Sequence, residues 1–289
     1  MNANSYDSRK AKVMLTVSRI VVYAILIFLS FLCLFSFYML FVNATRSHAD
    51  LQGGFQLLPD THFITNLVNA WNDASINIPR GMLNSFIVAA SSAILTTYFS
   101  AMTAYGIHAY EFKLKKAAFT FIMAIMVIPS QVSAVGFYQM CVKLGWTNSY
   151  LPLILPGVAA PVVFFYMKQY MESVLPMEII DAARVDGSGE FRTFNTIILP
   201  MMKPALAVQL IFSFVASWNN YFMPALLLDK AEMKTVPLMI AQLRSADYSK
   251  FDMGKVYMFI LLAILPVVVV YIFLSKYIIK GVTAGSVKG

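Results

Sequence analysis

Six stretches of this chain run for twenty residues or more without a single Asp, Glu, Lys or Arg. They are Ile20 to Thr45, Gly81 to Tyr110, Ala117 to Val142, Leu144 to Met167, Pro204 to Leu228 and Val256 to Ser275. About 20 residues of helix, rising about 1.5 Å each, cross about 30 Å of hydrocarbon. Each stretch is therefore long enough for one crossing, and the pattern predicts an all-α membrane protein with six transmembrane helices. Composition agrees, because 59% of the 289 residues are hydrophobic and only 12% are charged, too few to clothe a soluble domain. The first stretch follows Arg9, Lys10, Lys12 and Arg19 as a secretion signal would. A cleaved signal has an apolar core of about 7 to 15 residues, so this one reads as a retained span.

Orientation follows from placing basic residues on the cytoplasmic side. With the N-terminus inside, fourteen of the 22 Lys and Arg residues fall inside and eight outside, while the 14 acidic residues divide evenly. Both termini are then cytoplasmic, in a multi-pass protein of the cell (inner) membrane. The organisation expected is a cytoplasmic N-terminal segment over 1–19, a six-helix domain over 20–280 with an inner loop at 168–203, and a cytoplasmic tail over 281–289. The net charge of +8 is absorbed by this asymmetry. There is no basic run beyond Lys113, Lys115 and Lys116 to bind nucleic acid.

Cys33 and Cys141 lie singly in apolar stretches, and His48, His62 and His108 are scattered. No disulfide framework, metal site or cofactor is expected from such spacing. The charge-free spans argue against proton coupling, which uses ionisable groups in the membrane, and leave sodium coupling through oxygen ligands open. The chain has no Gly-x-Ser-x-Gly or His-Glu-x-x-His motif and no G-x-x-x-x-G-K-[ST] loop, so neither a hydrolase nor an ATP site is legible. Any nucleotide energy must come from another subunit through a cytoplasmic handle.

The inner loop offers one. Leu175 to Pro204 reads LPMEIIDAARVDGSGEFRTFNTIILPMMKP, which describes two short helices and a corner. Pro176 suits a first helical position, and Glu178 and Asp181 sit near the positive end of the helix dipole. Gly187 can take the left-handed conformation that stops a helix, Ser188 can cap the next, and that helix should end about Leu199, before Pro200. Ala182 and Ala183 are small enough for a partner to approach the backbone. Asp186 and Glu190 read as solvated loop charges. Physics alone also permits an ordinary amphipathic connector on the membrane face.

The series Asp181-Ala182-Ala183, Gly187 and Ile197-x-Leu199-Pro200 resembles the Glu-Ala-Ala loop of bacterial ABC importer permeases, with Asp181 where the family usually has Glu. The resemblance extends through Leu83-Asn84-Ser85, Ala104-Tyr105-Gly106, Ile128-Pro129, Leu144-Gly145 with Thr147-Asn148, Ser217-Trp218-Asn219 and the ending Lys280 to Gly289. These look like the carbohydrate-uptake branch related to the maltose permeases. The resemblance implies a type I ABC importer permease fold and a coupling loop carrying Glu178, Asp181, Ala182, Ala183, Asp186, Gly187, Leu199 and Pro200. It also implies a tail at Gly285, Lys288 and Gly289 that reaches the ATPase interface. The implied partners are a homologous second permease in a heterodimer, two cytoplasmic ATP-binding subunits and an extracytoplasmic solute-binding protein. Membrane lipid surrounds the assembly.

A neutral, hydroxylated sugar calls for uncharged hydrogen-bonding groups and flat aromatic faces. Asn84, Gln131, Ser217, Trp218, Asn219 and Asn220 are the pathway candidates. The adjacent indole and amides are costly in hydrocarbon without partners, although polar side chains also bond helix to helix. The chain reads as a non-catalytic sugar permease subunit. The alternatives are an ion-coupled carrier or channel working alone, and a membrane enzyme acting on lipids.

Overall fold

A computed structural model describes the backbone at residues 3–73, 76–245 and 252–286, and every regular element among them is helical. Helix α1 (Ala3–Ala44) leads into α2 (His48–Gln52) and α3 (Phe63–Trp71). The long α4 (Ile78–Ala109) is followed by α5 (Lys115–Ile125) and α6 (Ser130–Lys143). Helix α7 (Leu151–Ile154) passes through a 3-10 turn at Leu155–Val158 to α8 (Pro161–Val174). Next come α9 (Met177–Val185), α10 (Glu190–Thr193), a π-helical turn at Phe194–Ile198 and α11 (Leu199–Met201). The chain then forms α12 (Lys203–Trp218), α13 (Phe222–Leu227), a 3-10 turn at Ala231–Met233, α14 (Val236–Ser245) and α15 (Met253–Ser286).

Among the described residues, four segments are long and apolar enough to cross a membrane: Val13–Ala44, Ile78–Ala109, Leu151–Val174 and Met253–Phe273. The other two charge-free stretches are not single helices. Between α5 and α6 the last amides tighten, Val127 N donating to Ala124 O and Ile128 N to Ile125 O, and Pro129 takes an extended conformation with φ −61° and ψ 126°. Proline has no N–H with which to continue the ladder. Helix α12 ends at Trp218, and α11 meets it at an 84° bend at Met202. Absence of charge measures how much apolar chain is available, not whether the backbone stays continuous. The fourth span is also displaced from its predicted stretch, because α8 continues past Met167 to include Lys168 and Glu172, which pair with each other.

The chain divides into two compact units, Met1–Asn72 with Asp247–Leu261 and Asp73–Ala246 with Leu262–Gly289. In the first, the Asn66 amide donates to the carbonyls of Ala44 (2.9 Å) and Arg46 (2.8 Å), closing the loop that follows α1. The apolar face of α1 is exposed from Val13 through Leu34, as befits a helix whose solvent is lipid.

In the second unit α4 is the axis. Ala89 and Ala93 pack with Phe214 and Trp218 of α12, while Ala101, Ala104 and Tyr105 pack with Phe164, Met167 and Met171 of α8. Small residues on α4 bring helix backbones close, the usual basis of association in membranes. The 3-10 turn also packs tightly on α4: a Cβ on Gly157 would lie 2.6 Å from Thr96 Oγ1.

Candidate functional site: the elbow and the polar crevice

Helix α9 begins at Met177, with Pro176 one position earlier than expected, as its N-cap. The apolar spacing of Ile180 and Ala183 turns one face inward, where Ile180 is wholly buried and Ala183 is 5% exposed. The helix stops where Gly187 takes φ +75°, a conformation that carries a steric penalty for residues with a Cβ. Gly187 N donates to Arg184 O (3.0 Å) and Ser188 N to Ala183 O (2.9 Å). Gly189, rather than Ser188, stands at the N-cap of α10, and the Ser188 hydroxyl instead accepts from Thr193 Oγ1 at 2.8 Å. The second helix does not stop before Pro200. The wide π turn carries it to Met201, and the bend falls at Met202.

Arg184, which sequence reasoning passed over, holds this elbow together. Its Nε donates to Glu190 Oε1 at 3.0 Å and its Nη1 to Asp181 Oδ1 at 3.2 Å. Its Nη2 donates to Ala109 O, at the end of α4, at 3.2 Å, and the guanidinium lies 5.3 Å from the centre of the Tyr110 ring. Glu190 also accepts from the Tyr105 hydroxyl at 2.6 Å. Hydrogen bonds to its charged form, led by that from Tyr105, hold the Glu190 carboxyl below its ordinary value. Glu190 is thus a structural anchor rather than a solvated charge, whereas Asp186 is exposed.

The elbow rests on a core of Phe194, Ile198 and Met202 against Tyr105, Met167 and Met171. What it presents outward is Glu178, Asp181, Ala182, Val185, Asp186 and Phe191. Val185 is 87% and Phe191 70% exposed, apolar groups that point to a covering surface. Of the two alanines expected to admit a partner, only Ala182 faces out. Leu199 is half-buried against the core, and Pro200 is exposed.

The pathway candidates divide. Trp218 is 3% exposed, stacks on Phe214 at 5.7 Å and donates from Nε1 to Ala263 O at 3.1 Å. Asn84 is buried, and its amide donates to the carbonyls of Glu232 (2.9 Å) and Lys234 (3.0 Å). Both side chains fasten elements of their own unit. Ser217 and Asn220 instead line a narrow crevice with Ser85 and Thr235. Ser85 Oγ there accepts from Val236 N at 2.8 Å, and the buried Thr235 hydroxyl has no partner among the described residues. Asn219 and Gln131 are exposed. Asn148, at φ 52°, orders the chain beyond α13 by accepting from Asp229 N (2.7 Å) and Lys230 N (3.0 Å), which gives the Thr147-Asn148 signal a physical basis. Gly285 lies in the last turn of α15, and Lys288 and Gly289 fall outside the described residues.

In the first unit, Asp50, Asp60 and His62 bring potential ligand atoms within 4.8 Å of one another, a grouping that the scattered histidines did not foretell. Asp50 is already engaged by Ser47, and Asp60 by Thr61 N (2.7 Å).

The pattern of binding-protein-dependent transport system inner membrane components matches residues 97–283, which include the elbow, α12 and most of α15. The chain belongs to this family. It is accordingly an inner-membrane component, a placement that its long apolar helices support. It is 34% identical to the arabinooligosaccharides transport system permease protein AraQ of Bacillus subtilis (strain 168), over 95% of this chain and 97% of that one. It is 30% identical to the trehalose/maltose transport system permease protein MalG of Thermococcus litoralis, over 91% and 94% of the two chains. Its fold matches a chain of a bacterial ABC transporter involved in the import of the acidic polysaccharide alginate, with a TM-score of 0.78, 20% identity and coverage of 91% and 97%.

Proposed function

We propose that this inner-membrane component is the permease subunit of an ATP-driven ABC importer that carries a sugar of di- or oligosaccharide size into the cytoplasm. The observation that carries the mechanical half is the elbow, an exposed surface around Ala182, Val185 and Phe191 rooted through Arg184, Glu190 and Tyr105 in the end of α4. A partner that grips this surface moves a membrane helix directly. The substrate class is supported by the relatives, which are named for sugars. The uncharged hydroxyl and amide groups of Gln131, Ser217, Asn219 and Asn220, which are exposed or half-buried, suit a neutral, hydroxylated solute. Asn84 and Trp218 position this region without facing the solute.

In this reading the elbow and both termini are cytoplasmic, and six crossings are completed by the broken α5–α6 pair and the interrupted α12–α13 segment. The pathway forms against a homologous second permease. Two ATP-binding subunits dock on the elbow, with the tail at Gly285, Lys288 and Gly289 at their interface, and a solute-binding protein docks on the outer loops. ATP is hydrolysed on the partners, and no bond in the sugar changes. The test is to reconstitute the complex in vesicles with candidate sugars and the binding protein. The expected result is sugar-stimulated ATP hydrolysis coupled to uptake. Uptake by this polypeptide alone without ATP would overturn the reading in favour of a stand-alone carrier.

A further inference from the structure

Where α4 ends and α5 begins, beside α8, lies a hollow of about 470 Å3 lined by Lys113, Lys115, Lys116 and Lys168 with one carboxylate, Glu111. It sits at the end of α4 that also roots the elbow, since Ile107 lines it and Ala109 accepts from Arg184. Two of the lysines are matched: Lys115 pairs with Glu111 at 2.7 Å, and Lys168 pairs with Glu172 while lying 5.0 Å from the centre of the Phe119 ring. Lys113 and Lys116 are exposed and form no ion pair among the described residues.

A second observation concerns α5 itself. Its first turn holds Lys115 and Lys116 and no acidic residue, and Leu114 at its N-cap supplies no side-chain hydrogen bond. A helix N-terminus carries partial positive charge and orphan N–H donors, so lysines there oppose the dipole. An anion in the hollow relieves this conflict, because it meets the exposed ammonium groups of Lys113 and Lys116 beside the start of the helix. The rest of the lining is apolar, Ile107, Phe112 and Phe119, with Phe112 44% exposed, a surface that suits the glycerol and acyl region of a lipid better than a soluble anion.

We propose that this hollow binds the phosphate headgroup of an anionic phospholipid from the cytoplasmic leaflet. The leaflet rests on the orientation adopted in the functional reading; the binding does not. A basic pocket between membrane helices at this level suits a headgroup of one or two phosphodiesters. A lipid held there would brace the start of α5 against α8, next to the elbow.

The test uses the intact complex in detergent, titrated with cardiolipin and followed by native mass spectrometry. At about fivefold per lysine near an anionic surface, the Lys113→Gln/Lys116→Gln pair should bind cardiolipin about thirtyfold more weakly, while Lys113→Arg/Lys116→Arg should bind as the parent does. Millimolar inorganic phosphate should not displace the lipid. Equal retention by the Gln pair would overturn the proposal, and so would displacement by free phosphate, which would mark a soluble-anion site. If the Gln pair does not assemble, Lys113→Gln alone carries the test with an expected fivefold loss. Because the readout is lipid retention, its failure is distinct from failure of sugar-stimulated ATP hydrolysis.

Discussion

Replacing Gly187 tests the elbow through its backbone alone. A Cβ built at this position meets nothing within 4 Å, while φ is +75°, so a substitution adds no internal clash and the whole effect is conformational. An L-residue forced into the left-handed region loses about 1 to 2 kcal/mol, and a β-branched one falls at the upper end. Valine at 187 should therefore depopulate the native corner about thirtyfold, at about 1.4 kcal/mol per factor of ten. Asparagine, similar in size but tolerant of this region, should lose less than half of that free energy. The assay is sugar-stimulated ATP hydrolysis by the reconstituted complex, beside hydrogen exchange at residues 184–190. The expected order of coupling is Gly, then Asn, then Ala, then Val. If Asn and Val were equally damaging, bulk against the docking partner rather than backbone conformation would explain the loss, and the reasoning would be refuted.

The two alanines of the elbow should separate. Ala183→Glu puts a carboxylate into a packed face and should cost about 3 kcal/mol, seen as lost assembly on size exclusion, whereas Ala182→Glu should leave membrane insertion intact and abolish ATPase docking in pull-down. The pH response of the Arg184–Glu190 clamp has a definite sign. Glu190 titrates below the ordinary carboxylate value in the folded protein, so its contribution is complete above about pH 4.3 and fades as pH falls through the lowered value. Exchange protection at 184–190 should accordingly be flat from pH 8 to 5 and fall below about 4, and Glu190→Gln should remove that step. Trp218→Phe deletes one buried hydrogen bond to Ala263 and should lower the stability of the detergent-solubilised protein by about 0.6 to 1.7 kcal/mol with sugar preference unchanged. A changed preference at unaltered thermal stability would place the indole in the pathway after all.

Membrane embedding and the helix–corner–helix character of residues 177–198 were legible because each rests on local chemistry: charge-free length for the first, and Gly187 for the second. The breaks were harder. Pro129 and the amides at Asn219 and Asn220 stand inside apolar runs whose hydropathy does not register them. Pro200 misled in the other direction, because the π turn at Phe194–Ile198 carries the helix past it. Arg184 went unremarked because, beside its near neighbours Asp181 and Glu190, it reaches Ala109 and Tyr110 some 75 positions upstream, and no periodicity announces such a pairing. Trp218 and Asn84 looked like pathway residues for an honest chemical reason, since polar groups in hydrocarbon need partners. Their partners turned out to be backbone carbonyls of the same chain.

Helix α4 is fastened at both extremities. Near one, Asn84 and Ser85 hold the chain at Glu232, Lys234 and Val236; near the other, Tyr105 and Ala109 hold Glu190 and Arg184. Its 32 residues make a strut about 48 Å long that resists compression far better than it resists tilting. Whatever displaces the corner at Gly187 must therefore swing the opposite loop through the same arc, with no relay of intermediate parts.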